Sequence, residues 1–144
     1  MAKGTTFDSD LLKLIFQATA IANLADNAAT SPLTNLYVSL HVGDPSAGNQ
    51  NTSETVYTGY ARVAVSRNSA GWTVTGANAT NAGATTFPAC NGATGNTVTH
   101  VAIGKNATGV AGEVYYAGAL TSNLAISNGI TPSFAGGNLT ITES

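Results

Sequence analysis

Residues 68–144 carry only three charges, on Lys105, Glu113 and Glu143. No other feature constrains the fold as much. The charged fraction of the whole chain is 8%, where an average globular protein has about 25%. A free monomer of this length exposes on the order of 6,800 Å² by mass scaling. Here Thr, Asn, Ser, Gly and Ala must cover most of it. A free cytosolic protein keeps more charge for solubility. So neutral a surface suits burial against other chains, or work in a medium where indifference to salt is useful. Both point to a structural role.

Composition excludes other classes. The cations are Lys3, Lys13, Arg62, Arg67 and Lys105, and the net charge is −2. Arg62 and Arg67 form the densest basic region, too sparse to displace the counterions of a nucleic acid. The apolar stretch 11–25 is interrupted by Lys13, Gln17 and Asn23 and is too short to cross a bilayer. Asp8 and Asp10 precede it, so it does not read as a secretory leader. Hydrophobic residues make up 43%, enough for a real core. Cys90 is the single cysteine. No disulfide forms within the chain, and with no cation beside it in sequence Cys90 reads as a buried thiol.

Residues 8–26 read as one α-helix. Leu11, Leu14, Ile15, Ala18, Ala22 and Ala25 recur at helical spacing. Asp8 is the expected N-cap, Phe7 and Leu12 the hydrophobic staple, and Asn27 the terminator. Leu12, Phe16, Ile21 and Leu24 fall outside that stripe. An all-round apolar helix wants burial on several sides. Either it plugs its own domain, or one side docks on a neighbouring chain.

After Pro32 the period changes to two. Leu36, Val38, Leu40 and Val42 share one face of a strand, and 43–51 is a turn-rich loop. Further strands are expected within 55–67, from Gly71, within 76–86, and over 98–104, 113–120, 124–127, 130–134 and 139–142. Asn128-Gly129 and Gly136-Gly137 read as hairpin turns between the last three. Short strands with regular turns imply a mainly β chain, a β-sandwich or jelly-roll-like domain with one N-terminal α-helix. The expected organisation is a single domain over 1–144, with the helix at 8–26 and the sandwich at 35–143.

No catalytic pattern emerges, and the expectation is a chain that is not an enzyme. His41 and His100 each sit within a strand opposite aliphatic residues, and read as satisfied or surface histidines. No metal-ligand spacing is present. There is no nucleophile elbow, and 109–112 lacks the Lys and Ser/Thr of a phosphate loop. No cofactor is implied. Tyr57, Tyr60, Tyr115 and Tyr116 read either as cross-strand packing or as a contact surface. The candidate assembly interface is Leu12, Phe16, Ile21, Tyr57, Tyr60 and Tyr115.

A series of segments carries a family resemblance. It runs through the N-terminal helix, 36–45 (LYVSLHVGDP), 59–65 (GYARVAV), Thr86-Phe87-Pro88, 98–104 (VTHVAIG), 116–120 (YAGAL) and 135–141 (AGGNLTI). In this order they resemble a family of small virion proteins of tailed bacteriophages, often labelled tail-fibre-like, over roughly residues 7–143. The resemblance implies a virion component made in the host bacterial cytoplasm, with no catalytic residues to transfer. Compactness favours a capsid decoration or cement protein seated on junctions of the major capsid protein. A tail-tube, tip or fibre-associated protein is the alternative, and a carbohydrate-binding module the second. The expected partners are other virion proteins and further copies, in a trimer or dimer. No direct nucleic acid or membrane contact is expected.

Overall fold

A computed structural model describes residues 5–21, 33–109 and 112–143. One helix, α1 (Thr5–Gln17), precedes nine strands: β1 (Asn35–His41), β2 (Val63–Ser66), β3 (Trp72–Thr75), β4 (Asn78–Asn81), β5 (Thr85–Thr86), β6 (Thr97–Gly104), β7 (Val114–Ala125), β8 (Ser133–Phe134) and β9 (Thr140–Thr142). Among the described residues the chain is mainly β, with antiparallel pairing and a single N-terminal helix, as its periodicity predicts. It divides into two compact units. The first draws on Met1–Asn35, Val65–Ala84 and Phe134–Ser144, the second on Leu36–Ala64 and Thr85–Ser133.

In the first unit α1 packs on β3 and β4. Its buried stripe is Asp8, Leu12 and Phe16, with Leu12 and Phe16 wholly inaccessible. This reverses the expected faces, since Leu11, Leu14 and Ile15 are only half-buried. Both sets have helical spacing. The choice is made by Trp72, whose ring lies 4.6 Å from that of Phe16. Asp8 lies inside the first turn rather than before it. It is therefore not the N-cap, although a carboxylate there still favours the positive end of the helix.

The helix stops at Gln17, nine residues short of the expected end, and the remainder of the expected span, 22–26, lies outside the described residues with the terminator Asn27. The stop has a clear cause. The Arg67 guanidinium donates to the carbonyls of Leu14 and Ile15, the groups that the next helical N–H groups would need. Ala18 turns to a left-handed φ of 54°, and the Thr19 N–H closes back on the Lys13 carbonyl at 3.1 Å. A cation at this end also complements the helix dipole. Arg67→Ala is expected to cost about 2 kcal/mol, read as a lower urea midpoint at unchanged slope. An unchanged midpoint would remove the cap from this account.

β3 and β4 form a hairpin with Thr75 opposite Asn78. Gly76, at φ +59°, supplies the positive first position of a type II′ turn. β9 adds to the far side of β4. Wholly buried Asn81 aligns it. The Asn81 amide donates to the Gly83 and Ala135 carbonyls, and its oxygen accepts from the Leu139 N–H. The expected Gly136-Gly137 hairpin is therefore a turn whose flanking strands do not pair with each other, because Asn81 delivers β9 to β4.

The second unit is built on the sheet β2-β1-β6-β7. β1 is central and buried on both faces, since Ser39 and His41 are as inaccessible as Val38 and Leu40. β7 replaces two expected strands with one. Its register on β6 runs Ala119 to His100 and then Leu124 to Val98, so residues 120–123 bulge opposite Thr99. Asn128-Gly129 does sit in a turn, closed by Ile130 N–H on the Ser127 carbonyl at 3.0 Å. Its flanking strands do not form a hairpin. The end of β7 is already taken by β6, and the chain after the turn runs along Cys90 and β5 instead.

Candidate functional site

The densest polar cluster lies in the second unit, around Glu54 and Arg62. The loop after β1 is built from its own side chains. Asp44 accepts from the Ser46 N–H and Asn49 from the Asn51 N–H, both at 2.9 Å. These Asx turns return the chain antiparallel to β1, with Glu54 bridged to His41. The Asp44 carboxyl is held below its ordinary range by its bonds to Ser46.

Arg62 meets Glu54 with two bonds, Nε to Oε1 and Nη2 to Oε2, both 2.7 Å. The side chains are 4% and 12% exposed. The same guanidinium donates to the Asn106 carbonyl at 2.9 Å, the Asn51 side chain at 3.1 Å and the Gly109 carbonyl at 3.4 Å. The paired bond to Glu54 raises the Arg62 pKa above its usual value. The Tyr60 hydroxyl donates to Glu54 at 2.8 Å and accepts from the Leu40 N–H at 3.1 Å. Burial, then the Glu54 charge, raises the Tyr60 pKa far above that of a free phenol. Gln50, also buried, exchanges bonds with Asn106, and its backbone N–H donates to the Gly112 carbonyl at 2.8 Å. The cluster clamps loop 43–53 and residues 105–109 onto the sheet.

His41 sits beside it. Its Nδ1 lies 2.9 Å from the Thr52 carbonyl and its Nε2 2.8 Å from the Ser39 hydroxyl. A carbonyl only accepts, so Nδ1 carries the proton and Nε2 accepts from Ser39. The pair copies the contact of a nucleophile with its base, but both residues are wholly buried, and no substrate atom reaches that hydroxyl. Burial lowers the His41 pKa from 6.5, assisted by the Arg62 and His100 charges and opposed by Thr52 and Glu54. The unfolded chain therefore binds the proton more readily. The stabilisation is complete above about pH 6.5 and is lost as pH falls through the folded value. Stability is expected to drop as pH falls below about 6.5, in urea melts across that range. A His41 ring that titrates by NMR at or above 6.5 contradicts this.

The expected interface residues fall in different places. Leu12 and Phe16 are wholly buried within the first unit, and Tyr57 is 2% exposed. None of the three has surface left to offer another chain. Ile21 is half-buried. The Tyr57 hydroxyl donates to the Pro88 carbonyl at 2.7 Å, and burial raises its pKa to about 12. Tyr57 and Tyr60 meet edge to face at 5.3 Å, and Tyr60 stacks on Phe87 at 6.3 Å. Tyr115 is half-buried on β7. The structure thus joins Tyr57 and Tyr60 and leaves Tyr115 on a sheet edge. Cys90 is buried, its thiol against the Gly92 and Thr94 carbonyls.

Sequence reasoning missed the Glu54–Arg62 clamp. One signal was available: in a chain this poor in charge, an Arg and a Glu eight residues apart invite the question of what each is for. Among the described residues no three His, Cys, Asp or Glu side chains converge to hold a metal ion, and no helix is long and apolar enough to cross a membrane.

No curated protein gives a significant match. A family model described as "Podophage GP4 fiber I protein gp80" matches residues 12–142. That span takes in the second half of the helix, the clamp and every strand. The chain belongs to the podophage GP4 fiber I protein gp80 family and is a phage virion structural protein.

Proposed function

We propose that the chain is a non-enzymatic building block of a virion fibre, joined to its neighbours by apolar and neutral polar contacts. The observation that carries this is the fibre description of a family matching residues 12–142. Composition supports it. Neutral side chains cover the strands of both units, and two of the few charges, Arg62 and Glu54, are spent on each other. Contacts of this kind depend little on ionic strength, because screening acts on charges.

Antibody-gold labelling of purified virions tests the location. Label on fibres is expected. Label spread over the head shell would favour the capsid-decoration reading, in which the chain sits on junctions of the major capsid protein. Retention on particles is expected to change less than two-fold between low and roughly molar salt. A many-fold loss would transfer the contact to the remaining charged residues.

A further inference from the structure

The sequence holds two Asn-Gly pairs, Asn91-Gly92 and Asn128-Gly129. Asparagine is thermolabile. It is least stable before glycine, whose bare Cα leaves its backbone nitrogen open to the side-chain amide. Both asparagines are exposed, and both pairs lie in the second unit. What differs is the state of the glycine nitrogen. The Gly129 N–H donates to the Cys90 carbonyl at 2.7 Å, inside the turn that Ile130 closes on Ser127. That nitrogen is held away from attack. Among the described residues the Gly92 N–H makes no hydrogen bond.

The fold calls for a glycine at 92. A Cβ there would lie 2.8 Å from the Thr58 methyl carbon and 2.9 Å from the Thr58 Cβ, so a side chain fits only if Thr58 moves. Two backbone bonds lay the segment along Thr58. The Asn91 N–H donates to the Thr58 carbonyl at 3.1 Å, and the Thr58 N–H to the Thr94 carbonyl at 3.0 Å. The Asn91 side chain rests against Gly59, its Oδ1 3.1 Å from the place a Cβ would take. Among the described residues no hydrogen bond fixes its amide, and the group can turn toward the Gly92 nitrogen.

We propose that Asn91-Gly92 is a site of spontaneous self-modification, and that the fold protects Asn128-Gly129 from the same reaction. The Gly92 amide nitrogen, on losing its proton to hydroxide, attacks Asn91 Cγ. A bond forms between that nitrogen and Cγ, the bond from Cγ to the side-chain nitrogen breaks, and ammonia leaves. Water then opens the cyclic succinimide at either carbonyl, to give aspartate or isoaspartate. No oxidant or reductant is consumed. Each product adds a carboxylate to residues 68–144, which otherwise hold three charges. Isoaspartate also lengthens the main chain between the two bonds that lay 91–94 along Thr58, and so pulls them out of register. The reaction is independent of where in the virion the chain sits.

The full chain is aged at mildly alkaline pH, digested with trypsin and read by tandem mass spectrometry against an unaged sample. Cleavage at Lys105 separates the two sites. In the folded chain, replacement of the amide NH2 by OH is expected roughly ten-fold faster at 91 than at 128, the worth of one backbone hydrogen bond as a barrier. Aspartate and isoaspartate, equal in mass, are expected to separate on chromatography. In guanidinium chloride the Gly129 bond is lost, and the two sites are expected to react at similar rates. Asn91→Gln is expected to suppress conversion at 91, because the longer side chain must close a larger ring, and to leave 128 as it was. Four results overturn the proposal: equal rates at the two sites in the folded chain, faster conversion at 128, an Asn91 that stays intact in the folded chain, or a difference between the sites that survives in guanidinium chloride.

Discussion

Arg62→Ala is expected to cost about 3–5 kcal/mol, the cost of leaving one member of a nearly buried ion pair alone. The variant removes both bonds to Glu54 and the donors that the Asn106 and Gly109 carbonyls use. Glu54 would remain 12% exposed, with Tyr60 as its neighbour and no cation to balance it. Denaturant melts at neutral pH check this. Changing both partners to apolar residues of similar volume, Arg62→Met with Glu54→Leu, is expected to recover much of the loss, because a buried pair contributes little beyond its own desolvation. If Arg62→Ala melts like the unaltered protein, the clamp is ornamental and residues 43–53 and 105–109 are held by Gln50 and the local turns.

Phe16→Ala is expected to cost about 3–5 kcal/mol as well, for a different reason: it leaves a cavity beneath the helix. The ring is wholly buried against Trp72. At this chain length the loss corresponds to a fall in Tm of roughly 10–20 °C. The measurement also separates the two roles the sequence leaves open for this helix. A ring held in the core lowers the melt of the free protein. A ring reserved for a neighbouring chain leaves that melt unchanged and weakens only retention on virions. Burial in the isolated fold predicts the first result.

Much of the architecture was legible because alternation and turn chemistry act locally. The period of two over 36–42 located β1, and Val101 and Ile103 located β6. What failed depended on residues far away in the chain. Leu11, Leu14 and Ile15 have the same claim to a helical face as Leu12 and Phe16, and only Trp72 decides between them. Ala18, Ala22 and Ala25 keep the helical rhythm, and only Arg67 explains why it stops at Gln17. Asn128-Gly129 and Gly136-Gly137 are turns, as read, but a turn residue sets how the chain bends and not which strand it then meets. Tyr57 and Tyr60 were among the expected contact residues, but their packing on each other was not legible. Nor was the link to Glu54, because nothing local ties residue 54 to residue 62.

The pairing of β9 with β4 also governs the order in which the protein can be made. Thr142 and Asn78, bonded across that pair, are 64 residues apart. At roughly 5–20 residues per second, β4 leaves the ribosome several seconds before the strand that covers its far side. Throughout that interval the nascent chain displays an open edge, at the stage when such edges invite mispairing. The waiting edge reads Asn78, Ala79, Thr80, Asn81: two methyls among amides and a hydroxyl. Asparagine and threonine thus make β4 a poor template for other nascent strands, a task that lysine performs in chains richer in charge.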